Sequence, residues 1–223
     1  MATDTRRGRS LGGTGGQART RLARGAVVQA ARTLFIERGY PGTTIEAISE
    51  LADVPPATVY RLFSSKLGIL KALLDVSIAG DDDAVPVAER PFVRALLADP
   101  DPRRQLSGFA GITLGIQSRT EPVYRILVGA AGSDPDAAAL LADRTRHRQQ
   151  NQSRITRHLA DAGALRPDLD EREAADIIHA LMSPEVYRLL VVDRGWTGEQ
   201  YEQWLKGILI DQLLPPPASR TSG

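Results

Sequence analysis

Tyr60, Arg61 and Lys66 lie close behind Ala57 and Thr58, with Thr44 and Pro56 just ahead of them, in a 223-residue chain. Guanidinium and ammonium groups neutralise phosphates, and hydroxyls donate to phosphate oxygens. Small side chains such as Ala57 can lie against a thymine methyl. The chemistry these residue types offer is binding of a polyanion. Bond-making is poorly represented: no Ser/His/Asp arrangement or glycine-rich phosphate loop stands out, so no catalytic residue is assigned. The chain has no cysteine, which excludes disulfides and thiolate metal sites or nucleophiles. With only His147, His158 and His179, a histidine metal cluster is not expected. Asp81-Asp82-Asp83 ahead of Pro86 reads as a solvated turn rather than a cation site. No metal or cofactor is therefore expected.

The elements that position these side chains are legible. Thr43 and Glu46 have capping-box spacing and start a short helix, along which Ile45, Ile48 and Ala52 form one apolar stripe. Asp53-Val54 before Pro55-Pro56 ends it, because a residue before proline leaves the α region, while proline suits the opening of the next helix. That second helix, Ala57 to Phe63, buries Val59, Leu62 and Phe63 and turns Ala57, Thr58 and Arg61 outward. Upstream, Leu22 to Arg38 forms a helix closed by Gly39-Tyr40-Pro41-Gly42. Periodicity alone fits either a hairpin inside a helical core or a helix-turn-helix. The preceding helix supplies what a three-helix DNA-binding unit requires.

Ala31, Phe35, Gly39-Tyr40, Thr43-Thr44-Ile45, Ile48, Ala52, Val54, Thr58-Val59-Tyr60, Phe63 and Ser65-Lys66 resemble the N-terminal domain of TetR-family transcriptional regulators over roughly residues 21–70. The resemblance implies a homodimer with an N-terminal helix-turn-helix, a divergent helical C-terminal domain that usually binds a small molecule, and, in most members, repression. It assigns DNA contacts to Thr44, Thr58, Tyr60 and Lys66. Three positions depart from the pattern. Leu62 stands where members often carry His or Tyr, Pro55-Pro56 replaces a hydroxyl cap, and Leu67 replaces an acidic residue, leaving Ser64 or Ser65 to cap the next helix.

Charge agrees with the position of the polyanion partner. Residues 1–78 carry 11 Arg/Lys against 6 Asp/Glu, a net of +5, while the whole chain stands at +1, which leaves −4 for the remainder. Much of the positive charge lies in a Gly/Arg-rich segment, expected over 1–20 as a disordered arm. Such an arm is either a solubilising leader or an arginine arm for a minor groove. It has no signal-peptide core, and no later run approaches a membrane span, so a cytoplasmic protein without membrane association is expected.

From Lys66 onward the pattern is helical throughout, so the fold class is all-α. The expected organisation is a helix-turn-helix domain over 21–66, a helical ligand-binding and dimerisation domain over 67–214 and a disordered tail over 215–223. Separate helices are expected over Val87–Ala98, from Pro102, over Glu121–Ala131, over Pro135–Ala162, over Leu169–Asp193 with a kink at Pro184, and over Glu199–Leu214. Gly108, Gly111 and Gly115 leave a groove for a ligand or for a close helix. The resemblance implies a pocket, for which Phe92, Phe109, Ile112, Ile116 and Tyr124 are candidate apolar walls. His147, Asn151 and Arg154, on one face of an otherwise polar stretch at 143–154, are either its polar anchors or a solvated face. Excess apolar surface on the last two helices, Leu189 and Ile208 included, fits either a second copy or one monomeric core with a thick C-terminal layer; the resemblance implies the second copy.

The function these observations imply is a sequence-specific transcriptional regulator of double-stranded DNA, released from a palindromic operator by a small-molecule effector. The alternatives are a ligand-independent architectural DNA binder and, less in keeping with the residues, a helical enzyme.

Overall fold

The computed structural model describes residues 13–80 and 87–216. Among them every regular element is helical and none is a strand. The chain divides into two units, Met1–Leu73 and Leu74–Gly223. The division falls inside a helix and not at Lys66.

The first unit contains α1 (Gly13–Arg38), α2 (Ile45–Ala52), α3 (Pro56–Phe63) and the first half of α4 (Lys66–Ala79). Helix α1 begins at Gly13 rather than Leu22, so the arm expected to be disordered over 1–20 is helical from Gly13 on; residues 1–12 lie outside the described ones. Once Val27 to Phe35 are packed, extending the helix upstream adds a hydrogen bond per residue without a new nucleation cost. Val27, Ala31, Phe35, Ile48, Val59, Ile69 and Leu70 are fully or almost fully buried and form the core.

Thr44, not Thr43, caps α2, accepting from the Ala47 N–H at 3.1 Å. Thr43 is buried instead, its hydroxyl shared between the Gly39 carbonyl at 2.8 Å and the Leu34 carbonyl at 3.1 Å. The expected capping box is replaced by a single cap bond one residue on, because the end of α1 offers buried carbonyls that a hydroxyl must satisfy. The turn between α2 and α3 uses Asp53 in the left-handed region, φ 51°, and the Ser49 hydroxyl donates to the Val54 carbonyl. Helix α3 has Pro55 at its N-cap and no side-chain cap. Ser65 is the residue that caps α4, accepting from the Gly68 N–H at 3.0 Å.

The second unit holds a 3-10 turn (Val87–Glu89), α5 (Pro91–Leu97), α6 (Pro102–Ala131), α7 (Pro135–Asp161), α8 (Glu171–Leu181), α9 (Pro184–Tyr187), a π-turn (Arg188–Asp193) and α10 (Gly198–Leu213). Asp101 and Asp134 cap α6 and α7 ahead of prolines, as their sequence predicts. Two helices were expected where α6 runs unbroken, with Pro122 inside it. Thr113, Gln117 and Phe109 before the proline and Val123 and Leu127 after it are all buried. Tertiary packing on both sides therefore holds one axis through the missing hydrogen bond. Pro184 does more than kink its segment. It takes the first position of α9 behind the Ser183 cap, and α8 has already stopped at Leu181.

The second core gathers Leu106, Phe109, Ile155, Leu159, Ile178, Tyr187, Tyr201, Leu205 and Leu209. At Gly108 a Cβ would overlap the Leu96 side chain, and at Gly111 it would come within 3.1 Å of Glu202 Oε1. These glycines admit close neighbours rather than leaving a groove. The aspartates at 81–83 and the tail from 217 lie outside the described residues. No helix among those described is long and apolar enough to cross a membrane.

Candidate functional site

Helix α3 presents two unlike faces. Val59 and Phe63 are 0% and 6% exposed, whereas Pro56, Ala57 and Arg61 are exposed, Tyr60 is 48% exposed and Thr58 is half-buried. The outward arc is the one expected from the sequence. Thr44 also reaches the surface, at the N-terminus of α2. These side chains are brought onto one helix-turn-helix without any of them being needed for the core.

Lys66 has a role the sequence did not disclose. Its ammonium donates to the Tyr40 carbonyl at 2.7 Å and the Thr43 carbonyl at 2.8 Å, and it stands 4.3 Å from the centre of the Tyr40 ring. Tyr40 in turn stacks on Phe35 with centroids 5.7 Å apart. Lys66 thereby fastens the α1–α2 turn to the start of α4, with charge-assisted bonds stronger than neutral ones. Arg24, on α1, packs its guanidinium over the Phe63 ring at 4.7 Å and donates to the Leu62 carbonyl at 3.4 Å. It steadies the end of the helix that would meet DNA.

Residues 27–73 match the family model described as "Bacterial regulatory proteins, tetR family". The transcriptional regulator TtgR of Pseudomonas putida is 29% identical over 211 residues, covering 88% of this chain and 94% of that protein. Residues 27–73 are thus a TetR-family DNA-binding domain. Among solved structures, a transcriptional regulator from Saccharomonospora viridis in complex with choline matches with a TM-score of 0.65 at 22% identity, over 87% of this chain and 98% of that one. NalD, the secondary repressor of the MexAB-OprM multidrug efflux pump in Pseudomonas aeruginosa, matches with a TM-score of 0.65 at 22% identity, over 89% and 100%. The matched domain is the one that holds the helix-turn-helix, and the curated relatives are transcriptional regulators.

In the C-terminal unit the expected site residues separate. Phe109 is buried, and Ile112, Ile116 and Tyr124 are half-buried, all on α6. Phe92 is 51% exposed, because its neighbour Val93 takes the inward position of the short α5. His147, Asn151 and Arg154 are exposed as well, so the face they share is the solvated one. The inward arc of α7 is one residue further round. Its apolar ends, Ala137 and Ile155 with Leu159, project through the polar middle onto Arg144, Arg148 and Gln152. Continuing that i+3/i+4 stripe was the signal that could have found them.

These inward residues form a network across α6 to α9. Tyr124 donates to Glu185 at 3.1 Å, and burial, then the Glu185 charge, pushes its phenol up to about 12. Arg148 Nη2 lies 3.3 Å from His179 Nε2, and His179 Nδ1 lies 3.0 Å from Gln152 Oε1. Burial, then the Arg148 charge, lowers the pKa of His179. Arginine cannot accept a hydrogen bond, so Nε2 accepts and the Nδ1 proton goes to Gln152: the ring is neutral. At the C-terminal end of α4, Arg119 donates to the Ser77 and Ile78 carbonyls at 3.1 and 3.3 Å, and Arg144 pairs with Asp75 at 2.7 Å. Cations there satisfy carbonyls that a helix end leaves open.

Proposed function

We propose that the protein is a homodimeric repressor that holds a palindromic double-stranded operator through two α3 helices and releases it when a small molecule occupies the C-terminal unit. The observation that carries this reading is the outward arc of α3, which is exposed while Val59 and Phe63 are locked into the core. Ala57 and Pro56 would contact thymine methyls, and Thr58 and Arg61 would reach base edges. Thr44, Tyr60 and Lys66 would set the helix on phosphates, Lys66 while also holding the Tyr40 and Thr43 carbonyls. Repression is supported by likeness to NalD, and an effector by likeness to the choline-bound regulator. Phe109, Ile112, Ile116 and Tyr124 are the expected effector walls that remain turned inward or half-buried. Leu189 and Val192, 53% and 47% exposed on the π-turn, supply the apolar surface for a second copy. A chain acting on chromosomal DNA acts in the cytoplasm.

Selection from a random DNA pool should return a palindrome whose half-sites lie roughly one helical turn or a multiple of it apart, bound by a dimer in analytical ultracentrifugation. Arg61→Ala should relax sequence preference within each half-site, at a cost of about 1–3 kcal/mol. A monomer with no enriched sequence would overturn the reading.

A further inference from the structure

Among the described residues, five buried polar atoms have no hydrogen-bond partner: Gln105 Oε1, Glu121 Oε1, Arg144 Nε, Arg148 Nη1 and Tyr201 Oη. Glu121 is the carboxylate in this set and is 9% exposed. It lies on α6 between Gln117, which donates to the Met182 carbonyl at 3.2 Å, and Tyr124, which donates to Glu185 at 3.1 Å. Positions 117, 121 and 124 share one face of a helix. Glu121 therefore faces the segment from Met182 through α9, which ends in Tyr187. Its ion-pair partner, Arg125, stands off at 4.0 Å on a side chain 59% exposed, a weak pairing in high dielectric.

Aromatic rings complete the surroundings. Tyr187 and Tyr201 are 6% and 0% exposed and meet edge to face with centroids 5.0 Å apart. Trp204 lies 6.0 Å beyond Tyr201. Burial first, and then the Glu121 charge, raises the Tyr187 phenol above its ordinary value, so the carboxylate is felt at that ring. A buried carboxylate without a hydrogen bond on one oxygen, and with its cation at 4.0 Å, is costly. Its retention marks a position whose partner arrives from outside. The partner is named by the chemistry present: a negative charge beside the faces and edges of buried aromatic rings recognises an ammonium group. The wall that carries Tyr187 is also the one best able to admit it. Helix α8 stops at Leu181, α9 has four residues, and the π-turn Arg188–Asp193 follows. Such π segments recur at functional sites.

We propose that Glu121, Tyr187 and Tyr201 receive an organic cation, a quaternary or protonated alkylammonium, as the effector of this protein. The proposal rests on the regulator reading for its biological consequence but not for the binding itself. Glu121 supplies the charge, the two tyrosine rings enclose the alkyl groups, and the Tyr201 hydroxyl takes a polar substituent of the same molecule.

The test uses the full chain, with choline and benzyltrimethylammonium as probes and, for each, the neutral isostere in which carbon replaces nitrogen. Binding is read by calorimetry and by the fluorescence of Trp196 and Trp204. Both cations should bind saturably, their isosteres about tenfold or more weaker. Glu121→Gln, checked for folding by circular dichroism, should lose about that same factor for the cations and keep the affinity of the isosteres. Equal binding of cation and isostere overturns the proposal, as does cation affinity unchanged in Glu121→Gln, or no saturable binding of either cation at millimolar concentration. If the variant does not fold, the isostere comparison on the wild type decides alone. Operator binding is measured on the same preparation without ligand. A protein that prefers the cations yet selects no palindrome keeps this site and loses the regulator reading. One that selects a palindrome without discriminating charge loses the site alone.

Discussion

The two units differ in how completely they satisfy buried polar groups. In the first, Thr43 and Ser49 are buried with their hydroxyls bonded to carbonyls, and Lys66 spends its ammonium on two more. In the second lie all five of the buried atoms found without a partner among the described residues. A unit that reads DNA must hold α3 in a single orientation, and satisfied polar bonds over-determine it. A unit that answers a ligand needs groups whose bonds are completed only on binding, at a cost in its own stability. On the proposed reading, the difference matches rigidity to the half that reads DNA and receptivity to the half that takes the effector.

The largest expected effect breaks or confirms the first half of this comparison. Lys66→Met keeps the aliphatic stem but removes two charge-assisted bonds and the contact with the Tyr40 ring. It should cost about 2 kcal/mol, read as a lowered urea midpoint for the first unit. A loss below about 0.5 kcal/mol would show that the turn after α1 holds without its staple, and the contrast would fail. Tyr201→Phe sharpens the other half in the opposite direction. Removing a hydroxyl that is buried without a partner should leave stability unchanged or raise it by up to about 1 kcal/mol. A clear loss would mean that the hydroxyl is bonded in solution and that the C-terminal unit is as well satisfied as the first.

The comparison also explains what could be read from the sequence. Helices α2 and α3 were legible because their ends are written in local chemistry: a threonine cap, two prolines and an apolar stripe on each. The one-residue error at Thr43 arose where a tertiary bond to the end of α1 competed with a local cap. Helix α6 was misread at Pro122 because the propensity of one residue lost to packing on both its sides. Along α7 the face of His147, Asn151 and Arg154 was left open between polar anchors and a solvated face, and the inward residues beside it were not named. Its inward arc is as polar as its outward one, so His147 and Asn151 could not be told from Arg148 and Gln152 by residue type. Only the position of Ile155 and Leu159 separates them. The carboxylate at 121 went unremarked because nothing adjacent in sequence announces that it is buried. The tyrosines that accompany it come from helices far along the chain.

The smallest expected effect concerns the one histidine in that inward arc's network. His179 is held neutral, with Arg148 donating to one nitrogen and Gln152 accepting from the other, and its pKa is lowered by burial and then by Arg148; Glu185 and Asp176 act in the opposite sense but more weakly. In the unfolded chain the ring takes up a proton near its ordinary value of 6.5. Below that pH the unfolded state therefore binds more protons than the folded one, and stability must fall as the solution is acidified. Above it both states are neutral and this contribution is flat. The protonated ring would also face the Arg148 guanidinium, losing the acceptor that the arginine uses. Urea midpoints of the C-terminal transition should accordingly decline between about pH 7 and pH 5.5, and less steeply in His179→Gln, whose amide can accept from Arg148 without titrating. Parallel curves for the two proteins over that range would show that His179 is not held neutral. The network would then be another solvated patch, and the receptive character of the unit would rest on Glu121 and Tyr201 alone.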